Sequence, residues 1–498
     1  MRSLVTPEEM AAADKAAIDS GTPVEVLMER AGRAVARIAI QLAGGRYGRH
    51  ATVVCGPGNN GGDGFVAARI LRTEGLSVRC LFVGDIDDVR GASKVHLDAL
   101  RAKGVDVGPF DASLFEGSDV VIDALFGTGF RGRVEGEAAA AVAGMDVAGC
   151  PVVAVDIPSG VNGLTGEVLG EAVTADVTVA MAAQKIGTAV GEGALRAGIV
   201  EVADIGIASS GEIQMLERAD VAHILGRRQI DSHKRSWGSV LVVAGSDAMP
   251  GAAALVVRGA IRAGCGYVTI ACTEKVGAVV NELCPEALVR VVTQADHLGP
   301  GILDRVEDVL AKATAVAAGP GLGTGEDQAA LVRALASNID LPLVLDADAL
   351  NALPGGLEVV AARTRPTALT PHPVELARLM NVDVKELGDR VAAARVAAER
   401  SNGTILLKGA RTVIAGSQLF INPTGGPELA TAGTGDVLTG IVAAFVARSG
   451  ETFTGSVAAG AYVHGLAGSL AGERIGESGL VAWDVAEAIP EAMELIAR

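Results

Sequence analysis

Apolar residues recur along this chain in two rhythms. Near the start, Leu27, Ala31, Ala34, Val35 and Ile38 fall three or four positions apart, the spacing of one buried helix face. Short apolar runs follow at 51–55, 77–83, 119–123 and 151–156, with a helical stretch predicted at 65–74. The last two runs each end in an Asp that leads into a glycine-containing loop. Strands alternating with helices in this way predict βαβ units and a parallel sheet. Ligands of such sheets sit beyond the carboxyl ends of the strands. The rhythm closes near 200–207 and passes through small polar residues at 208–211 and a connector at 212–225. It resumes with runs at 239–244, 267–271, 315–318, 342–345, 368–370 and 404–407, and a last long helix is expected to begin near Val437. No tandem repeat is visible. The loop motifs of the halves differ, so two separate α/β folds joined in one chain are expected.

Composition narrows the picture. A chain of 498 residues is too long for one ordinary core. Hydrophobic residues reach 49% and aromatics only 3%, which suits helices packed closely on sheets through small side chains. The formal net charge is −17, with no basic block to offset it, which argues against a nucleic-acid partner. Acidity does not exclude a phosphorylated small ligand, because backbone amides can bind phosphate locally. Cys55, Cys80, Cys150, Cys265, Cys272 and Cys284 lack CxxC spacing, as expected of free thiols in a reducing compartment. The first ten residues lack an apolar signal core, and no apolar stretch is long enough to span a membrane. A soluble, cytoplasmic protein without a membrane partner is therefore expected.

Three loops of the first half carry candidate chemistry. Gly56-Pro57-Gly58-Asn59-Asn60-Gly61-Gly62-Asp63-Gly64 lies between a predicted strand and a predicted helix. It contains GxGxxG, and Asp85 falls roughly where a ribose-binding acid would, but such a match alone is weak. Its Asn-Asn-Gly-Gly-Asp core offers two amides and a carboxylate, suited to an oxygen-rich ligand and a cation. The plain alternative is a tight turn rich in capping residues. The second loop runs Asp123-Ala124-Leu125-Phe126-Gly127-Thr128-Gly129-Phe130-Arg131-Gly132-Arg133, with glycines for close approach and two arginines for phosphate. The third is Asp156-Ile157-Pro158-Ser159-Gly160. Asp123 and Asp156 each end a predicted strand, so their carboxylates should converge at one sheet edge.

In the second half, Ala432-Gly433-Thr434-Gly435-Asp436 precedes an apolar helix marked by Leu438, Ile441, Val442 and Phe445. A glycine-rich turn at a helix N-terminus points its amides at anions. An Asp there can deprotonate a hydroxyl while the amides hold a phosphoryl group in flight; the plain alternative is an N-cap. No GxxxxGK[ST] occurs, so this is not a P-loop enzyme. His233-Lys234-Arg235, Gly245-Ser246, Pro250-Gly251-Ala252-Ala253, Gly319-Pro320-Gly321-Leu322-Gly323, Asp346-Ala347-Asp348-Ala349-Leu350-Asn351, Thr370-Pro371-His372-Pro373-Val374-Glu375 and Lys408-Gly409-Ala410-Arg411-Thr412 lie at other predicted strand ends.

Taken in order, Leu27-Met28-Glu29-Arg30-Ala31-Gly32, the three glycine loops and Asp204-Ile205-Gly206-Ile207 resemble the NAD(P)H-hydrate epimerase family across about residues 1–210. The resemblance implies a Rossmann-like three-layer fold that interconverts the R and S epimers of hydrated NADH and NADPH. It implies potassium on Asn60, Asp123 and Ser159. It places substrate at Asn59, Asn60, Gly61, Gly62, Asp63, Gly127, Thr128, Gly129, Phe130, Arg131, Gly132, Arg133 and Asp156. Asn carbonyl, carboxylate and hydroxyl oxygens suit a hard cation. Asp156 is the candidate acid/base, with Lys185 either a second one or a solvated surface lysine.

Residues 222–498 resemble the ADP/ATP-dependent NAD(P)H-hydrate dehydratase family, of ribokinase-like fold. That implies nucleotide on Lys408, Gly409, Ala410, Arg411, Thr412 and Gly435, and hydrated NAD(P)H at Ala253, Gly321, His372 and Asp436. Met249 departs from the aromatic residue relatives often carry there. Asp436 would be the base for phosphorylating the hydroxyl, with magnesium accompanying ADP. The fusion resembles bacterial members that use ADP, and a homo-oligomer is expected. The alternative is a ribokinase-like small-molecule kinase with a non-catalytic, ligand-binding front domain.

Overall fold

In a computed structural model the chain divides into two compact units, residues 3–213 and residues 214–498 with the first two residues. The structure describes residues 1–448 and 452–498.

Seven parallel strands form the sheet of the first unit. Their order across the sheet is Val107–Pro109, Ser77–Phe82, His50–Cys55, Val120–Ala124, Val152–Val155, Val177–Met181 and Ile199–Ala203. The chain adds strands on one side of His50–Cys55, then returns to add the rest on its other side. The topological switch point therefore lies between His50–Cys55 and Val120–Ala124, where ligands of doubly wound folds bind. Both strands are almost wholly buried and rich in Val and Ala, as strands covered on both faces must be.

The predicted helix face is correct. Leu27, Ala31, Val35 and Ile38 are buried in the helix Val24–Leu42, which packs in the same core as the helix after the first strand. That second helix differs from expectation. It is Asn59–Thr73 and starts six residues before the predicted 65. The Asn-Asn-Gly-Gly-Asp segment is thus its first turn and not a free loop. Close packing explains the glycines. A Cβ on Gly61 would meet the Gly56 carbonyl at 1.9 Å, and one on Gly62 would meet the Met28 sulfur at 2.4 Å.

The second unit has a nine-strand run ordered Leu288–Thr293, Tyr267–Thr273, Ser239–Val243, Ala315–Ala318, Leu343–Leu345, Thr367–Leu369, Thr404–Leu407, Val413–Ala415 and Leu419–Ile421. Neighbours are parallel up to Thr404–Leu407, and the two strands that follow it pair antiparallel. The helix expected near Val437 is Thr434–Val446, but it is not the last. Phe453–Ile475 and Ala482–Ala497 follow. Phe453–Ile475 is buried on most of its circumference through Ala and Gly, so it lacks the polar stripe that a periodicity search needs. Among the described residues no helix is long and apolar enough to cross a membrane, and all six cysteines are free.

Helices Pro250–Arg262 and Thr434–Val446 approach through facing glycines. A Cβ on Gly440 would stand 2.1 Å from the Val256 carbonyl, and one on Gly259 2.4 Å from that of Val437. Gly440→Ala should therefore lower stability by at least about 1–3 kcal/mol through overpacking. Gly251→Ala, with nothing within 4 Å of its added methyl, should stay within about 0.5 kcal/mol. Denaturant unfolding of the two variants checks the contrast.

Candidate active sites

A cavity of about 610 Å³ opens at the switch point of the first unit. Asn59, Asn60, Asp63, Gly127, Thr128, Gly129, Phe130, Asp156 and Lys185 all line it, so three separate sequence motifs meet there. Gly61, Gly62, Arg131, Gly132 and Arg133 do not line it. The two glycines are buried beneath it by the packing just described. Arg131 turns back to donate to the carbonyls of Thr128 and Phe130 at 2.7 and 2.8 Å, holding its own loop.

Asp156 follows the strand Val152–Val155 with φ +68°, and the Ile157 amide donates to the Val155 carbonyl at 2.8 Å. This left-handed residue reverses the chain sharply, a costly geometry for a residue with a side chain. The turn aims its carboxylate at two donors. Lys185 Nζ donates to Asp156 Oδ1, and the Met181 amide donates to the same oxygen at 3.1 Å. Lys185 also donates to the Met181 carbonyl at 2.8 Å. Its side chain is 1% exposed, so it is no solvated surface lysine. Parallel pairing of Leu4 with Gln184 and Val5 with Lys185 fixes the backbone beneath it.

Asp123 sits inside the strand Val120–Ala124, one residue before its end, and is fully buried. Oδ1 accepts from the Ser159 hydroxyl at 2.6 Å and the Leu125 amide at 3.2 Å, and Oδ2 from the Ser159 amide at 2.7 Å. Burial still pushes its carboxyl up to about 6, because the Ser159 and Leu125 donors offset only part of the desolvation. It therefore ties the second and third loops together. The buried Asn60 side chain has its Nδ2 without a partner, and a half-turn of the amide would present oxygen in its place. Amide oxygen, carboxylate and hydroxyl are the donor types that a monovalent hard cation takes, and here the Asp123 carboxylate and Ser159 hydroxyl bond to each other. Among the described residues no cluster of three or more His, Cys, Asp or Glu is placed to hold a metal ion.

Sequence reasoning missed Asp14, on the helix Pro7–Asp19, which also lines this cavity. Burial is the main force pushing both the Asp14 and the Asp63 carboxyls up; Asp156 adds repulsion and Lys185 opposes it.

The second unit gathers another acid–lysine group. Lys408, after the strand Thr404–Leu407, donates to Asp346 Oδ1 at 2.7 Å and lies 3.9 Å from Glu375. The Thr439 hydroxyl donates to Asp346 Oδ2 at 2.6 Å. A Cβ on Gly435 would stand 3.6 Å from Lys408 Nζ. Asp436 in the first turn of Thr434–Val446 has its carboxyl pushed up to about 7, by burial first and Asp346 second, with Lys408 opposing. Behind the turn, buried His464 bonds to the Thr434 carbonyl through Nε2 at 2.9 Å, and burial holds it down to about 4. Asp346, Thr439 and His464 were not singled out from sequence. Asp346 stood in a motif already noted at a strand end, the one signal available.

Other expected contacts fall differently. Ala253 is fully buried in the core, against the expectation that it meets substrate; a Cβ on Gly245 would press on it at 2.8 Å. Gly321, with φ +68°, has the Met249 carbonyl 3.0 Å from its would-be Cβ, so this turn packs against the start of Pro250–Arg262. His372 caps the helix Pro373–Met380, with Nδ1 accepting from the amides of Val374 and Glu375 at 3.2 and 3.3 Å. Its ring remains exposed. Within the 408–412 loop, Arg411 donates inward to the Pro423 carbonyl at 2.7 Å, and Thr412 closes onto the Gly409 carbonyl at 3.1 Å. Arg390 braces the same loop through the Ala410 carbonyl at 2.7 Å.

Fold and geometry together define a two-unit α/β enzyme with an acid–lysine centre at the strand ends of each unit. Residues 240–491 match the family described as NAD(P)H-hydrate dehydratase, and residues 24–187 that described as YjeF-related protein N-terminus. The chain is 38% identical to the bifunctional NAD(P)H-hydrate repair enzyme of Thermofilum pendens over 97% of its length and 94% of that protein. It is also 38% identical to the enzyme of that name from Moorella thermoacetica, over 98% of this chain and 96% of the other. A ribokinase-like superfamily protein of Enterococcus faecalis superposes on 58% of this chain and 98% of its own, with TM-score 0.50 and 25% identity. The chain belongs to the family of bifunctional NAD(P)H-hydrate repair enzymes.

The Asp156–Lys185 pair is a buried ion pair, so removing one partner strands a charge. Lys185→Met should lower the unfolding free energy by about 3–5 kcal/mol. A loss below about 1 kcal/mol in denaturant unfolding would mean that water screens the pair.

Proposed function

We propose that residues 3–213 interconvert the R and S epimers of hydrated NADH and NADPH, and that residues 214–498 dehydrate the S epimer using ADP, releasing AMP and phosphate. One observation carries the second half: Asp436 lies in the first turn of a 13-residue helix with its carboxyl poised near 7, beside Lys408 and Asp346. A hydroxyl is a poor leaving group. Asp436 takes its proton as the oxygen bonds to the terminal phosphorus of ADP, and AMP departs. The helix N-terminus favours the anionic group being transferred. Loss of phosphate with a ring proton then restores the dihydronicotinamide. Lys408, Gly409, Ala410, Arg411, Thr412 and Gly435 form the nucleotide side of the site, with Gly321 and His372 on the side of the hydrated substrate. Ala253, being buried, is left with at most a supporting role. Magnesium would travel with ADP, held chiefly by its phosphates.

In the first unit, Asp156 is the acid/base, and Lys185 holds its carboxylate in direction. Asn59, Asn60, Asp63 and residues 127–130 surround the hydrated ring and its nucleotide. Asn60, Asp123 and Ser159 would hold potassium, supplying a fixed positive charge near the substrate phosphates. The rival reading, a stable-product kinase with a passive front unit, leaves the buried Asp156–Lys185 pair in the cavity without a purpose. Free thiols throughout accord with a cytoplasmic location, and a homo-oligomer is the assembly we propose to test by light scattering.

The two activities should separate by mutation. Asp436→Asn should cut dehydration by at least roughly 10²-fold and leave epimerisation intact. Asp156→Ala should do the reverse. Loss of both activities from either change in a folded protein would refute the two-site reading. Because Asp436 must be ionised to accept a proton, dehydration should fall as pH drops below about 7 with a one-proton slope. A rate flat from pH 5 to 8 would contradict that role. ADP should also outperform ATP freed of ADP at equal magnesium; equal turnover would remove the donor preference alone.

A further inference from the structure

The cavity of the first unit has two walls of different origin. One is made of strand-end loops and carries Asp156 and Lys185. The other is helical, from Pro7–Asp19 and Val24–Leu42, and brings Met10, Ile18, Leu27 and Met28 to the cavity. Asp14 is the acidic residue of that otherwise apolar helical wall. Its one-turn neighbours Met10 and Ile18 line the cavity with it, so a whole stripe of the helix faces inward. Nothing about helix stability calls for a carboxylate there: it lies midway along, and the cap is already supplied by Thr6 and Glu9.

We propose that Asp14 is a second catalytic carboxyl of the epimerisation, acting on the opposite face of the substrate ring from Asp156. The inference rests on the reading that this cavity is the epimerase site. An independent sign that the cavity takes a polar ligand is Asn60, whose side chain is more than nine-tenths buried and whose Nδ2 has no partner.

The chemistry requires two faces. Water added across an enamine leaves its hydroxyl on the carbon beside the ring nitrogen. One carboxyl gives its proton to that hydroxyl, the C–O bond breaks, and the nitrogen lone pair forms C=N. The departing water, or another, then adds to the opposite face and gives a proton to the second carboxylate. Atoms and electrons balance, and the net result is one proton moved from the first carboxyl to the second. The step needs one acid protonated while the other is ionised. The groups facing Asp14 are Asp156, Asp63 and Lys185. Lys185 donates a direct hydrogen bond to Asp156, while burial pushes the Asp14 carboxyl up.

The test uses the full chain and purified epimers of hydrated NADH in H₂¹⁸O, following inversion and oxygen exchange separately. Asp14→Asn should reduce inversion at least roughly 30-fold in kcat. It should still exchange the hydroxyl oxygen with retention, because the Asp156 face stays competent. Asp14→Glu should recover part of the inversion. Asp156→Asn should likewise lose inversion, keeping retentive exchange only for the epimer whose hydroxyl faces Asp14. Wild-type inversion by Asp14→Asn, or a loss confined to KM, would overturn the proposal. If Asp156→Asn also retained full inversion, the epimerase reading of the cavity would itself have failed.

Discussion

A carboxylate buried at the carboxyl end of a parallel strand is the constraint on which both sites depend. Such a group is stable only if the adjoining loops supply donors, because desolvation otherwise forces it neutral. Asp123, Asp156 and Asp346 meet this demand in three ways. Asp123 draws on the amide and hydroxyl of Ser159. Asp156 takes Lys185 and the Met181 amide. Asp346 takes Lys408 and Thr439. In each case the donor comes from a different loop or helix, so satisfying the charge also assembles the site. The loops are held by electrostatics where an apolar core would leave no room for substrate.

The same constraint separates structural from reactive acids. Asp346 has both oxygens engaged and so is fitted to position Lys408. Asp436, in the first turn of its helix and beside that pair, has its carboxyl pushed up to about 7 by burial first and Asp346 second. Removing the Asp346–Lys408 pair would alter Asp436 without touching it. Strained backbone accompanies the sites: Asp156, Ala182, Ala347 and Arg411 all have positive φ beside these groups. The other two such residues, Asn381 and Asn402, simply end helices.

Much of this was legible in the sequence, for reasons that can be named. Strands such as 51–55 and 315–318 are continuous apolar runs because both faces are covered, and the strand-end acids followed from them. The Asn60, Asp123 and Asp156 motifs converge as expected because a doubly wound sheet brings its strand ends together. What the sequence does not state is what tertiary packing decides. Phe453–Ile475 is buried almost all round and shows no amphipathic stripe. Ala253 is exposed or buried according to how a helix seats, which its own sequence does not state. His372 caps a helix through Nδ1 while the rest of its ring stays exposed, a placement that residue type alone does not give. Asp14 sits in an ordinary-looking helix, and only folding that helix over the switch point gives it chemistry.

The central claim is that one chain holds two complementary sites, one supplying the epimer that the other consumes. The direct measurement is recovery of NADH absorbance when the purified full chain meets an equal mixture of R and S hydrated NADH with magnesium and ADP. Complete return of the hydrate to NADH is expected, with both epimers consumed faster than they interconvert without enzyme. Recovery that stops once the S epimer is spent, the R epimer thereafter disappearing only at its uncatalysed rate, would contradict it.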